Sequence, residues 1–190
     1  MSTLEVSQFT HTPLYCEENV YFLLKKLCKD GVADADGSDL FVVFISNDMK
    51  QIPLWHQKAS TRADGIILWD YHAICIQLHM SLKPSGHHFQ LFSEYRRSFR
   101  IVHAPIFLRF FASDRRHMKD PDGNWTAQPP AYEPIVAEDG TVHNLNEYME
   151  IHASDELKNM EADLINSVFT QQLGVAISEN QLEEFFAQIS

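Results

Sequence analysis

Two side chains in this sequence could together carry out nucleophilic catalysis. Cys16 lies where the first long helical pattern begins. A thiol at a helix N-terminus meets the positive end of the dipole and unpaired N–H groups, which favour the thiolate and could hold an oxyanion. His72, inside a later apolar stretch, could serve as the acid or base. Glu17 and Glu18 oppose thiolate formation, so Cys16 would need an imidazolium partner. A structural cysteine and a core histidine remain the alternatives.

The elements that would position these residues follow from apolar periodicity. A helix is predicted from Cys16 to Gly31, and Leu40–Ser46 is predicted to be a strand buried on both faces. The remaining elements are predicted without a regular βαβ rhythm, which favours an α+β or irregular α/β domain. They are an extended piece at 52–55, strands at 66–78 and 99–103, and helices at 89–98, 105–111, 154–170 and 179–188, the last preceded by a capping box at Ser178.

Length and composition favour one folded domain. The chain has 190 residues, of which 45% are hydrophobic and 22% charged, so it is neither disordered nor fibrous. We expect a single domain over residues 1–190, with a flexible lead-in at 1–14 and an acidic helical tail at 151–190 packed on it. The longest apolar run is too short to span a bilayer, and a secretory signal is not evident, so a cytoplasmic and possibly nuclear location is expected.

The charge distribution argues against nucleic acid as a partner. The net charge is -11, and residues 133–190 account for it, because they hold Lys158 against 12 acidic residues. One basic cluster, at 96–119, could be an anion site or a set of structural and solvated arginines.

Metal and disulfide chemistry are not indicated. The three cysteines lack a C-x-x-C spacing, and the ten histidines lack metal-ligand spacing; His87 and His88 are adjacent but poorly placed to share one ion. No metal site is predicted.

Several motifs in order resemble the protein N-terminal glutamine amidohydrolases, most of all the plant members. The resemblance covers about residues 8–150. The matching stretches are Tyr15-Cys-Glu-Glu-Asn-Val20, Val42-Val-Phe-Ile-Ser-Asn47, Ile52-Pro-Leu-Trp-His-Gln-Lys-Ala59, Trp69-Asp-Tyr-His72, Phe99-Arg-Ile-Val102, Phe111-Ala-Ser-Asp-Arg-Arg-His-Met-Lys119 and Asn144-Leu-Asn146.

This resemblance implies a papain- or transglutaminase-like cysteine hydrolase domain, with a mostly antiparallel sheet flanked by helices. Cys16 would be the nucleophile and His72 the base, converting an N-terminal glutamine of a protein to glutamate with release of ammonia. The product would feed arginylation and the N-degron pathway. The resemblance further implies a monomer without metal or cofactor, whose partners are proteins or peptides beginning with glutamine and not nucleic acid or membranes.

One departure from the family concerns the third catalytic residue, an aspartate in an Asp-Leu-Asp motif on the strand after the histidine. That motif and the Leu-Pro-Phe-Pro turn after it are absent between Gln77 and Phe89. Losing the acid of a triad can cost roughly 10⁴ in rate. Asp70, expected on the same strand face as His72, and Asp114, in a matching loop, are the candidate substitutes.

Other residues receive binding roles with open alternatives. Trp55, Trp69 and Tyr71 could line the glutamine pocket or belong to the core. Glu18 and Asp70 could accept the substrate's α-ammonium group, or could complement the helix dipole and a strand end.

Four hypotheses follow for this chain. It is an amidohydrolase, a binding-only pseudoenzyme that captures glutamine-initiated peptides without turnover, or a truncated isoform that folds poorly through an exposed sheet edge. A metalloenzyme is the last of them.

Overall fold

The computed structural model describes residues 6–55, 60–78, 96–152 and 162–189. A four-stranded sheet in the order β4-β1-β5-β6 has only antiparallel pairs, and β2 and β3 form a separate antiparallel pair. The predicted α/β class with a mostly antiparallel sheet flanked by helices is thus confirmed. The strands are β1 Leu40–Ser46, β2 Ile52–Leu54, β3 Ile67–Trp69, β4 His72–Gln77, β5 Ser98–His103 and β6 Val175–Ser178; the helices are α1 Cys16–Lys29, α2 Ala104–Phe110, α3 Leu145–Met149, α4 Ala162–Thr170 and α5 Glu179–Ile189.

Strand β1 is the centre of the core, because helices cover both faces of the sheet. All seven of its residues are buried, as the apolar run predicted. Val42 and Phe44 face the side with α1, α2 and α3, where the Phe44 ring stacks on Tyr148 at 5.4 Å. Phe41 and Val43 face the side with α4 and α5. Apolar burial on both faces explains why β1 shows no alternation.

Helix α1 confirms the predicted periodicity and places Cys16 at the sheet. Val20, Leu24 and Leu27 are buried in the core, and the helix packs on β4. Gly31, with φ of 67°, follows the helix end as expected for a left-handed terminating residue. The thiol of Cys16, the first residue of α1, reaches the backbone N–H of Ala73, the second residue of β4, so the N-terminal ends of the two elements meet.

The strand predicted at 66–78 is wrong as one element. It divides at Asp70 into β3, which pairs with β2, and β4, which pairs with β1. The Asp70 carboxylate accepts the backbone N–H of Tyr71 at 3.0 Å, and Ser46 Oγ donates to the Asp70 carbonyl at 3.4 Å. These local bonds replace strand pairing, so Asp70 and His72 do not share a strand face.

The C-terminal region contributes a strand as well as helices. Strand β6 pairs with β5, and the sequence analysis missed it because four residues are too few to show a period. Helix α5 begins as predicted after the capping box, in which the Gln181 side chain accepts the Ser178 backbone N–H at 3.0 Å. Most of the helix predicted at 89–98, the pair His87 and His88, and the start of the one at 154–170 lie outside the described residues.

At the other end of the chain, the predicted lead-in is tied to α1. The backbone N–H and carbonyl of Thr12 both bond the Asn19 side chain at 2.8 Å. Across the described ranges, we find no helix that is both long and apolar enough to cross a membrane.

Gly174, in the turn before β6, should not tolerate a side chain. A Cβ there would lie 1.9 Å from the carbonyl oxygen of Ile101 in β5, whereas one at Gly31, with a similar positive φ, would meet nothing within 4 Å. We expect Gly31→Ala to cost about 1–2 kcal/mol for the left-handed backbone alone. Gly174→Ala should cost more than about 4 kcal/mol, because β6 must move away from β5. If urea unfolding gives the same loss of unfolding free energy for both variants, the described contact between Gly174 and β5 is contradicted.

Candidate functional site

The Cys16 thiol lies where α1 meets the start of β4. It is within hydrogen-bonding reach of the backbone N–H of Ala73, which follows His72, and it donates to Glu17 Oε2 at 3.5 Å. Burial, followed by the Glu17 charge, raises the pKa of the thiol well above its usual range, although the Ala73 and Glu17 N–H groups oppose the rise. The resting cysteine is therefore a neutral thiol, and the helix dipole alone does not make it a thiolate.

His72 is the first residue of β4 and directly precedes Ala73, whose backbone N–H the Cys16 thiol reaches. Its ring stacks on Trp69 with centroids 5.7 Å apart. Burial lowers the pKa of the imidazole, and none of the described carboxylates counteracts this. Its Nδ1 atom is buried without a hydrogen-bond partner in the described part of the chain. The imidazole is thus neutral, and no described acid orients it.

Glu17, which the sequence analysis did not select, is a buried carboxyl beside the thiol. Tyr71 Oη donates to its Oε2 atom at 2.7 Å, and its Oε1 atom lies 3.6 Å from His117 Nε2. Burial raises the pKa of Glu17 to about 7, although the Tyr71 bond opposes the rise. His117 is mostly buried, and burial lowers its pKa to about 4. No sequence motif predicts the hydrogen bond between Tyr71 and Glu17, because the two residues come into contact only when β4 packs on α1.

Glu18 has a different environment from the one expected of an ammonium acceptor. Its carboxylate is fully buried, and Arg115 Nε and Nη2 hold its two oxygens at 2.9 and 3.0 Å. Arg115 adopts a left-handed φ of 65°, donates to the carbonyl of Pro130 at 3.4 Å, and lies 4.9 Å from the centre of the Tyr132 ring. The structure therefore assigns Glu18 to an ion pair, which occupies its carboxylate.

Asp114, one candidate substitute acid, is turned toward other groups. It forms a bidentate pair with Arg116, which lowers the pKa of the carboxyl, and its Oδ1 atom lies 3.1 Å from Nδ1 of the buried His143. The structure shows Asp114 beside Arg116 and His143, and not against His72.

The basic cluster at 96–119 consists largely of paired arginines, which supports its structural interpretation. Arg97 pairs with Glu179, Arg100 donates to the carbonyl of Leu173 at 3.2 Å, and Arg109 pairs with Glu138 at 2.9 Å. With Arg115 on Glu18 and Arg116 on Asp114, four of the six arginines in the cluster pair with a carboxylate in the described part of the chain.

The remaining predicted binding residues lie at the hairpin of β2 and β3. Trp55 follows β2, and the Arg97 guanidinium lies 5.8 Å from its ring centre. Asp70 is exposed in the break before β4, and its charge favours the protonated form of His117. Among the described side chains, no three His, Cys, Asp or Glu residues are grouped to hold a metal ion.

Removing one member of the Glu18–Arg115 pair should leave the other as a buried charge without its ion-pair partner. We expect Arg115→Met alone to lower the free energy of unfolding by about 3–5 kcal/mol. The double variant Arg115→Met with Glu18→Gln should recover part of that loss, which a double-mutant cycle by urea unfolding would measure. The Arg109–Glu138 pair, with both side chains more than half exposed, is the matched control and should show less than about 1 kcal/mol of coupling. Additive losses at the Glu18–Arg115 pair would contradict the assignment.

Comparison with known proteins shows the same family over nearly the whole chain. The model of the N-terminal glutamine amidase family matches residues 11–88 and 80–186. A protein N-terminal glutamine amidohydrolase from Arabidopsis thaliana is 52% identical, covering 98% of this chain and 95% of the relative. Relatives of the same description from Oryza sativa subsp. indica and Drosophila melanogaster are 48% and 32% identical, covering 98% and 76% of this chain and 90% and 80% of those relatives.

The alignments also bear on the missing strand and turn. The Arabidopsis alignment runs over 213 positions, whereas this chain has 190 residues, so at least 23 positions hold no residue of this chain. The family match is divided into two parts that overlap at residues 80–88, within the interval from Gln77 to Phe89 where the sequence lacks the expected Asp-Leu-Asp motif. With this internal segment absent, the chain nevertheless belongs to the protein N-terminal glutamine amidohydrolase family.

Proposed function

We propose that this chain deamidates the side chain of an N-terminal glutamine to glutamate with release of ammonia. The observation that carries the proposal is the meeting of the Cys16 thiol with the start of β4 beside His72, in a chain 52% identical to a relative named for this activity. The arrangement of a cysteine at a helix N-terminus and a histidine on the adjoining strand supports the papain-like description of the fold.

The reaction follows from these groups. Cys16 passes its proton to the neutral His72 imidazole, and the sulfur attacks the carboxamide carbon to give a tetrahedral oxyanion, which N–H groups at the start of α1 can stabilise. Protonation of the nitrogen, for which His72 is the expected donor, lets ammonia leave and a thioester remain. His72 then takes a proton from water as the water attacks the thioester, and the acid is released. These steps need no metal or cofactor.

We assign recognition of the substrate's α-ammonium group to Asp70. Its exposed carboxylate lies between β3 and β4, two residues from His72, whereas Glu18 is buried against Arg115. Trp69, which stacks on His72, and Trp55 on the paired hairpin are the aromatic groups we propose for the glutamine side chain.

A catalytically impaired or binding-only chain is the alternative. It is favoured by His72 Nδ1, which has no hydrogen-bond partner among the described residues, and by the 23 or more alignment positions without a residue of this chain. Such a chain would capture peptides that begin with glutamine but release no ammonia.

We also propose a pathway and a cellular location for this activity. A glutamate newly formed at a protein N-terminus would feed the N-degron pathway. We expect the chain to act as a cytoplasmic and possibly nuclear monomer on proteins with N-terminal glutamine, without nucleic acid or membrane partners, in keeping with its net charge of -11.

Replacement of the nucleophile tests the activity. The purified chain, incubated with a peptide that begins with Gln, should release ammonia and add about 1 Da to the peptide, whereas a peptide that begins with Asn should not react. Cys16→Ala should abolish turnover, because it removes the proposed nucleophile. Cys28→Ala, a change of a partly buried thiol at the far end of α1, is the control and should retain it. Turnover that survives Cys16→Ala would contradict the mechanism; tight peptide binding without ammonia would establish the alternative.

Asp70→Asn should weaken substrate recognition more than chemistry. Loss of a charge-assisted bond to the α-ammonium group is worth about 1.5–3 kcal/mol, so we expect KM to rise at least about tenfold while kcat changes little. Against an α-N-acetylated peptide, which has no ammonium group, Asp70→Asn and the unmodified chain should have the same low kcat/KM. A fall in kcat alone would instead indicate that Asp70 acts on His72.

A further inference from the structure

The Cys16 thiol donates a hydrogen bond to a carboxylate oxygen. The sulfur donates to Glu17 Oε2 at 3.5 Å, whereas no thiol–imidazole hydrogen bond is formed among the described residues. A carboxylate oxygen at this distance is in position to take the proton directly. Glu17 therefore touches the reacting sulfur, although the reaction outlined above does not use it.

The surroundings of Glu17 fix its carboxyl group in one place. Tyr71 Oη donates to the same Oε2 atom at 2.7 Å, and the side chain is completely buried. The other oxygen, Oε1, has no hydrogen-bond partner in the described part of the chain and lies 3.6 Å from the neutral ring of His117. A buried carboxyl that accepts from a fixed hydroxyl is poised to exchange a proton with the thiol that shares its oxygen.

The charged neighbours do not neutralise Glu17. Glu18, next along α1, has its charge matched by Arg115, and that arginine is bonded to Glu18 and not to Glu17. Tyr71 and His117 face Glu17 as neutral groups, and Cys16 faces it as a thiol. Burial without a cation raises the pKa of Glu17 to about 7, so both its protonation states are populated near neutral pH.

We propose that Glu17 is a catalytic residue of this chain, whose Oε2 atom accepts the Cys16 proton when the sulfur attacks the substrate. The proposal rests on the proposed function. In the first step the S–H bond breaks, its proton passes to the Glu17 carboxylate, and the electron pair left on sulfur forms the bond to the carboxamide carbon. As the C–N bond breaks, Glu17 returns that proton to the nitrogen, so ammonia leaves and the thioester and carboxylate remain.

This assignment replaces His72 in the first half of the reaction only. The neutral imidazole remains as the acceptor for the proton of the attacking water, and the resulting imidazolium reprotonates the departing sulfur. A second acid–base group beside the thiol would compensate in part for the segment that carries the family's aspartate.

The variant Glu17→Gln distinguishes suppression of the thiolate from acceptance of its proton. We expect it to increase the rate of Cys16 labelling and to decrease the rate of turnover. The neutral amide removes a negative charge beside the sulfur, so the apparent pKa of Cys16, measured by iodoacetamide labelling of the Cys16 peptide against pH, should fall and labelling at pH 7.5 should rise about tenfold or more. Removal of the proton acceptor should lower kcat with a Gln peptide by roughly 10²-fold. In the unmodified chain, kcat/KM should rise with pH through about 7 as the Glu17 carboxylate forms.

Two further variants serve as comparisons for Glu17→Gln. Tyr71→Phe keeps the carboxyl but removes its hydrogen bond, so the midpoint of the kcat/KM profile should move to higher pH. Asp30→Asn changes an exposed acid at the other end of α1, where Asp30 pairs with Lys26, and should alter neither readout. Cooperative melting of each variant confirms that it is folded.

The outcomes are distinct. Faster labelling together with unchanged or faster turnover would overturn the proposal, because Glu17 would then only suppress the thiolate. An unchanged labelling profile, or slower labelling and slower turnover together, would overturn it as well. If the unmodified chain is labelled at Cys16 but releases no ammonia, the proposed function fails. In that case, a lowered Cys16 pKa in Glu17→Gln would still support the hydrogen bond between the thiol and the Glu17 carboxylate.

Discussion

The buried ion pair between Glu18 and Arg115 fixes the geometry on which the candidate site depends. Arg115 reaches from the segment after α2 to the first turn of α1, and the two side chains are 5% and 0% exposed. A buried pair of this kind repays its desolvation only through good geometry and additional hydrogen bonds, which the bidentate contact and the carbonyls of Pro130 and Glu133 supply. Because Cys16 and Glu17 occupy the same helical turn as Glu18, holding this turn holds the thiol against β4.

The pair also separates the chemistry of two neighbouring acids. Glu18 has an arginine, so its charge is matched within the core. Glu17 accepts hydrogen bonds from two neutral groups, the Tyr71 hydroxyl and the Cys16 thiol, and burial raises its pKa to about 7. Two consecutive glutamates in one helical turn thus become a structural anion and a titratable group. Their difference comes from residues about 50 and 100 positions away along the chain, and not from the helix dipole that both share.

Local patterns predicted most of the architecture but little of the site's chemistry. The spacing in α1, the two-sided burial of β1 and the capping box of α5 each depend on neighbouring residues, so they could be predicted from the sequence. The division of the strand at Asp70 could not, because β3 and β4 find partners in different sheets and the apolar run continues across the break. The ion pair of Glu18 could not be predicted for a related reason, since its partner Arg115 is 97 residues away. Motif order correctly indicated the family, whereas it did not indicate the hydrogen bond from Tyr71 to Glu17.

The account depends most on a covalent bond between substrate and Cys16. Acid quenching of the chain within the first turnovers of a peptide beginning with Gln, followed by mass spectrometry, measures this bond directly. We predict a transient adduct on the peptide that contains Cys16, with the mass of the substrate less one ammonia. Release of ammonia with no adduct at Cys16, or with the adduct on Cys28 or Cys75, would contradict the account.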